Sequence, residues 1–244
     1  MKNSLKDKIL LLTGAGGGIG SAIAARCASL GMKLILLGAN NPEKLETVKT
    51  LVEKHSSCLA YPGDLTDLEF LSAALENAVE KWGGVDVLIN NAGTAANTPF
   101  EKVTPETFDR IMAINSRTPF FLTQKCLPFL KRSSCATVIN IASVTGHSGY
   151  PMQSVYSASK HALLGWTKSA ASEYYKENIR FHAISPGGVY TDMVKVTRPD
   201  LTPEGMIMPE DIADIVEFIL THRNSNAVID EIMLHRNGKE PFLV

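Results

Sequence analysis

Short apolar runs alternate with longer stretches of helical periodicity from one end of the chain to the other. The apolar runs cover residues 9–12, 34–37, 58–61, 85–89, 137–141, 179–184 and 227–234, and several are almost wholly hydrophobic. Runs of that kind fit strands covered on both faces in a parallel sheet, whereas a half-exposed strand would alternate. Between them, residues 19–29, 42–55, 67–82, 105–131, 154–176 and 209–221 read as helices. Gly31 supplies a stop after the first, and Asp67, Thr104 and Ser154 are expected N-caps. Pro105 fits a first helical position. Pro119 falls inside a helical stretch, where proline costs ~3 kcal/mol, so a kink or break is expected near residues 115–119. The alternation predicts an α/β fold: a single doubly wound, Rossmann-like domain over residues 1–244, with a parallel seven-stranded sheet flanked by helices.

Composition narrows the function classes. The chain has 244 residues, 45% of them hydrophobic, and a net charge of −1 from 24 Lys+Arg and 25 Asp+Glu. That balance excludes disorder and argues against nucleic acid or a membrane surface as partner. The run of residues 9–12 stops at glycine and is too short for a signal peptide, and no stretch of ~18 apolar residues offers a membrane span. Cys27, Cys58, Cys126 and Cys135 lack paired spacing, which suits free thiols in the cytoplasm. The six histidines have no ligand spacing either, so no metal is expected.

Chemistry first appears at Thr13-Gly14-Ala15-Gly16-Gly17-Gly18-Ile19-Gly20, between the first strand and the first helix. Glycines there let backbone N–H groups and a helix N-terminus approach a pyrophosphate, although a plain turn is the simpler alternative. Ile19 stands where the Gly-x-Gly-x-x-Gly fingerprint needs its third glycine; the pattern that fits is Thr-Gly-x-x-x-Gly-x-Gly. Further on, Tyr156 and Lys160 share one face of a helix. A phenol with pKa ~10 needs a nearby positive charge to exchange protons near neutrality.

Taken together, these segments resemble the short-chain dehydrogenase/reductase family in its compact form. The matching pieces are Thr13 to Gly20, Asn90-Asn91-Ala92-Gly93, Asn115, Ser143, Tyr156-Ser157-Ala158-Ser159-Lys160, and Pro186-Gly187-Gly188-Val189-Tyr190-Thr191, in family order. The resemblance implies an NAD(P)(H)-dependent oxidoreductase interconverting a carbonyl and a secondary alcohol. Tyr156 would be the general acid/base, Ser143 would bind the substrate oxygen, and Lys160 would lower the phenol pKa and hold the nicotinamide ribose. Asn115 would break its helix and open a proton relay to water. For the cofactor, the family implies Gly14, Gly16, Gly18, Ile19 and Gly20 at the phosphates, and Asp64 with Leu65 at the adenine. Asn91, Ala92 and Gly93 would lie against the adenosine ribose. Pro186, Gly187, the Val189 backbone and the Thr191 hydroxyl would fix the nicotinamide.

The pattern also has departures. Gly17, Gly38 and Ala39 are uncharged where relatives discriminate NAD from NADP. The missing carboxylate, with Asn40 and Asn41 as donors, leans the expectation to NADP(H), with NAD(H) possible. With no basic residue at those positions, the phosphates must be held by backbone amides and a helix end. Residues 192–208 are expected to form a short substrate-covering loop. His147 reads as a pocket or surface residue rather than a second base. Leu234-His235-Arg236-Asn237-Gly238 lacks the Asp-Gly-Gly ending of acyl-carrier-protein reductase relatives. A dinucleotide-sensing protein without turnover is the alternative function, and a methyltransferase explains less of the pattern. Family members are commonly homodimers or homotetramers, and the same is expected here.

Overall fold

Residues 10–12 are all leucine, which leaves β1 (Ile9–Thr13) no side for water, and the chain sets it deep within a sheet. The computed structural model describes residues 5–38, 41–197 and 200–238. β2 (Lys33–Gly38) lies on one side of β1 and β4 (Val87–Asn90) on the other. β3 (Cys58–Pro62), β5 (Thr137–Ile141), β6 (Arg180–Pro186) and β7 (Glu231–Leu234) complete a seven-stranded sheet of order β3-β2-β1-β4-β5-β6-β7. All its pairings are parallel, as expected.

Successive strand residues point to opposite faces, so each run feeds two cores. Leu10, Leu12, Leu34, Leu36, Val87 and Ile89 pack on one face with residues of α1 (Gly18–Ser29), α2 (Pro42–Glu53) and α8 (Pro209–Thr221). Leu11, Ile35, Leu37 and Leu88 pack on the other with α3 (Leu68–Trp82) and α5 (Thr118–Leu130). Trp166 and Tyr174 of α6 (Ser154–Tyr174) join that second core. Each fully buried leucine contributes about 1.5–3 kcal/mol. Cys27, Cys126 and Cys135 are buried free thiols, and Cys58 is half-buried. Among the described residues, no helix is long and apolar enough to cross a membrane.

Most helix boundaries follow their signals. Asp67 accepts from the N–H groups of Glu69 and Phe70, and Thr104 caps α4 (Pro105–Met112) by accepting from Thr107 N. Gly31, with φ +79°, turns the chain after α1. Ser154 departs from expectation, being the first helical residue rather than the cap, with Gln153 before it. Met152 takes φ +65° just upstream, and that turn moves the helix start. The expected break is also present, as a single π turn over Ala113–Arg117 between α4 and α5. It places Pro119 in the first turn of α5, where its missing N–H is harmless.

The expected covering loop at residues 192–208 opens instead with α7 (Asp192–Thr197), whose first residue is a favourable acidic one. Residues 200–208 return to bridge Ile207 to Val189.

Candidate active site

The motifs converge at the carboxyl ends of the strands, where open α/β sheets hold ligands. Thr13 Oγ1 accepts from the N–H groups of Asn91 and Ala92, both at 3.0 Å. Asn91 Nδ2 returns the tie, donating to Thr13 O at 3.0 Å and Gly14 O at 3.1 Å. The glycine loop and the Asn-Asn-Ala-Gly segment are thus two halves of one floor. Gly14, at φ +66°, is required there: a Cβ would stand 2.8 Å from Ala92 Cα. At Gly20 a Cβ would stand 2.2 Å from Gly14 O, so only glycine lets α1 start so close to the loop.

α1 begins at Gly18 with no side-chain cap and no acidic residue in its first turn. Its leading N–H groups, from Gly18, Ile19 and Gly20, are thus left without a side-chain acceptor, the condition under which a helix start takes an anion. Gly16 borders the same surface, and Thr191 lies beside Gly18, its Cγ2 being 3.1 Å from where a Cβ would stand. Asp64 Oδ1 accepts from the backbone N and hydroxyl of Thr66, and buried Leu65 accepts from Thr118 Oγ1. Gly187 N donates to Leu234 O, and Val189 is buried against Ile207. Asn40 lies outside the described residues.

Asn115, Ser143, Tyr156 and Lys160 come together beside this floor. Lys160 is only 4% exposed, and its Nζ donates to Ile141 O at 2.8 Å, 5.8 Å from the centre of the Tyr156 ring. Burial alone depresses its pKa, from 10.5 to about 8. The phenol of Tyr156 is raised by burial, and a hydrogen bond with Ser143 works against that rise. Ser143 is itself buried; its hydroxyl accepts from Thr145 N and donates to Pro186 O at 3.4 Å.

The Asn115 side chain joins three segments. It accepts from Thr94 N, and its amide donates to Thr94 O and to Ser159 Oγ, whose hydroxyl then donates to Tyr156 O. A side chain on Gly93 would come 3.5 Å from Asn115 Oδ1 and 3.7 Å from Lys160 Nζ. Glycine at that position keeps a side chain away from the Lys160 ammonium and the Asn115 amide. The glycine loop's uncapped helix start and the small residue before Lys160 are compatible with a dinucleotide.

Several contributors escape a reading of the sequence. A buried polar chain crosses the sheet: Asn90 donates to Thr123 and Asn140, and Asn140 donates to Thr167 of α6. These residues sit in apolar runs or helix faces, and only the motif membership of Asn90 marked any of them. Lys44, in the first turn of α2, lies beside Gly16 and pairs with Asp192 of α7 at 2.9 Å. Its ammonium is thereby held by the acidic first residue of α7, a pairing that no local sequence pattern announces. His147 pairs with Glu231 at 2.6 Å, and Glu231 also accepts from Ser185.

Comparison with known proteins gives the same picture. The family described as short chain dehydrogenase matches residues 8–202. Levodione reductase of Leifsonia aquatica is 36% identical over 202 residues, covering 81% of this chain and 75% of its own. The hydroxynaphthalene reductase-like protein Arp2 of Metarhizium anisopliae (strain ARSEF 549) is 31% identical over 96% of both chains. A solved structure of levodione reductase superposes with a TM-score of 0.87 at 31% identity, over 96% of this chain and 98% of its own. A short chain dehydrogenase from Mycobacterium paratuberculosis bound to NAD has a TM-score of 0.85 at 27% identity, covering 95% of this chain and 97% of its own. A sensor without turnover finds no support among them. The chain belongs to the short-chain dehydrogenase/reductase family and is an NAD(P)-dependent oxidoreductase that works between a carbonyl and an alcohol.

Proposed function

We propose that Tyr156 is the general acid/base of this oxidoreductase, with Ser143, Lys160 and Asn115 completing the catalytic set. The carrying observation is Tyr156 held between the Ser143 hydroxyl and the buried Lys160 ammonium. When bound, a nicotinamide would supply the hydride for the carbonyl carbon. Tyr156 donates its proton to the carbonyl oxygen in reduction and regains one from the alcohol in oxidation, while Ser143 holds that oxygen. Lys160 favours the phenolate and binds the ribose. Asn115 fixes the π turn from which water replenishes the proton. Replacing Tyr156 by Phe should lower kcat/KM for ketone reduction at least 100-fold while cofactor binding persists. Unchanged turnover would overturn the assignment.

The cofactor lies, in this reading, with its diphosphate on Gly14, Gly16, Gly18, Ile19 and Gly20, and its adenine beside Asp64 and Leu65. Its adenosine ribose rests on Asn91, Ala92 and Gly93, and its nicotinamide on Pro186, Gly187, Val189 and Thr191. NADP(H) is preferred over NAD(H). Gly38 brings no carboxylate to the end of β2, Asn41 keeps its amide N–H groups after capping α2 through its oxygen, and Lys44 stands beside the loop.

Residues 1–244 act as one domain in the cytoplasm, where the unpaired thiols are at home, on a small carbonyl or alcohol substrate. The active form is a homodimer or homotetramer. Exposed Phe108 and Phe120 on α4 and α5, and Phe218 and Met233 on α8 and β7, offer two apolar faces for self-association.

A further inference from the structure

We propose that Arg236 is a specificity-determining residue that selects substrates carrying a carboxylate in addition to the reacting carbonyl. The proposal rests on the catalytic reading above and goes beyond it to the substrate's class. Ser143 donates to Pro186 O, so the next two residues, Gly187 and Gly188, follow directly on the backbone that this serine touches. Neither glycine has a side chain, and Arg236 packs against them in its place. A Cβ on Gly188 would stand 3.5 Å from Arg236 Cδ and 3.9 Å from Nε, and one on Gly187 would stand 4.0 Å from Cγ.

The arginine is held in place from both ends. Its own segment is tied to the wall, because Gly187 N donates to Leu234 O at 2.8 Å. The covering segment closes over it. Gly205, at φ +68°, approaches Asn237 O so closely that a Cβ would be 3.0 Å away. Met206 is buried, with its Cε 3.1 Å from a Cβ position on Gly188.

Among the described residues, the guanidinium's polar contact is with Met206 Sδ, at 3.3 Å from Nη1. A thioether is a weak acceptor, whereas guanidinium offers five N–H donors in a planar fork. A half-buried guanidinium met by sulfur among the described residues keeps N–H donors to spare, and a carboxylate is the anion its fork fits in two parallel bonds.

The test compares oxo acids with their methyl esters at saturating NADPH: 4-oxopentanoate, 2-oxopentanoate and 4-oxocyclohexanecarboxylate, each against its ester. Wild-type protein should give at least a tenfold lower KM for one or more of the acids. Arg236→Gln should erase that preference through KM, leaving kcat for the esters, NADPH affinity and melting temperature unchanged. Arg236→Lys, which keeps the charge but not the fork, should restore only part of it. Esters turned over as well as every acid, or an acid preference surviving in Arg236→Gln, would show that the arginine is only a strut for Met206. Failure of every carbonyl compound to react overturns the catalytic reading and this proposal together; turnover of neutral ketones without an acid preference overturns this one alone.

Discussion

Lys160 carries two opposed demands in one side chain. In the proposed mechanism its ammonium is charged to assist Tyr156, yet it is buried with a carbonyl oxygen as its described hydrogen-bond partner. The depression from 10.5 to about 8 corresponds to roughly 3 kcal/mol of burden on the charged folded state. Between those two values the unfolded chain holds a proton that the folded chain has released, so this group makes stability rise with pH. Without cofactor, Lys160→Met should therefore match or exceed wild type in melting temperature at pH 7. The wild type should gain on the variant as pH rises from 8 to 10, and thermal melts across that window check the sign. Arg236 and Lys44 belong to the same scale, and their partners show why the sequence hid them. Met206 and Asp192 are distant along the chain, and no local pattern couples a cation to either.

Among the elements, the strands were the most legible because unbroken apolar runs admit few other homes. Asp67 and Thr104 were readable as caps because their signal is local. Ser154 was not, because a left-handed Met152 decides where α6 starts, and methionine does not announce that conformation. The break near Asn115 was visible through Pro119, but its form as a π turn depends on the tertiary bonds of Asn115 to Thr94 and Ser159. Asn115→Ala removes those bonds and should reduce kcat by 10-fold or more, by loosening the support under Tyr156; a stopped-flow hydride-transfer measurement reads this.

The glycine loop makes a sharper prediction, because its glycines differ in need. Gly16→Ala meets only ordinary contacts, Lys44 Cβ being 3.5 Å away, and should fold with nearly wild-type stability. Gly20→Ala drives a methyl into Gly14 O and should cost about 1–3 kcal/mol, or a fall of several degrees in melting temperature. It should also abolish stabilisation by NADPH, since the floor of the loop must shift. Paired thermal melts with and without cofactor separate the two effects.

At the scale of the whole molecule, dinucleotide binding and self-association should each report on the fold. A cofactor present at 100 times its Kd stabilises by about 2.7 kcal/mol. NADPH should therefore raise the melting temperature more than NADH does at equal concentration, and the reverse order would remove the argument from Lys44 and Asn41. Light scattering after size exclusion should give twice or four times the chain mass. Phe120→Glu, on an exposed position of α5, should lower that mass if the face on α4 and α5 is the contact, while leaving the cofactor-induced shift intact.

The placement of β1 between β2 and β4 sets an order of events during synthesis. Thr13 and Gly14 are made well before Asn91 and Ala92, yet the atoms that fix them belong to those later residues. Until β4 has emerged and paired with β1, the loop has half its floor missing and no defined surface for a phosphate. A nascent chain that ends before Asn90 is therefore blind to the dinucleotide, however complete its glycine signature. Cofactor can rescue a folding chain only after the second half of the floor exists, so it acts as a late fastener rather than as a nucleus.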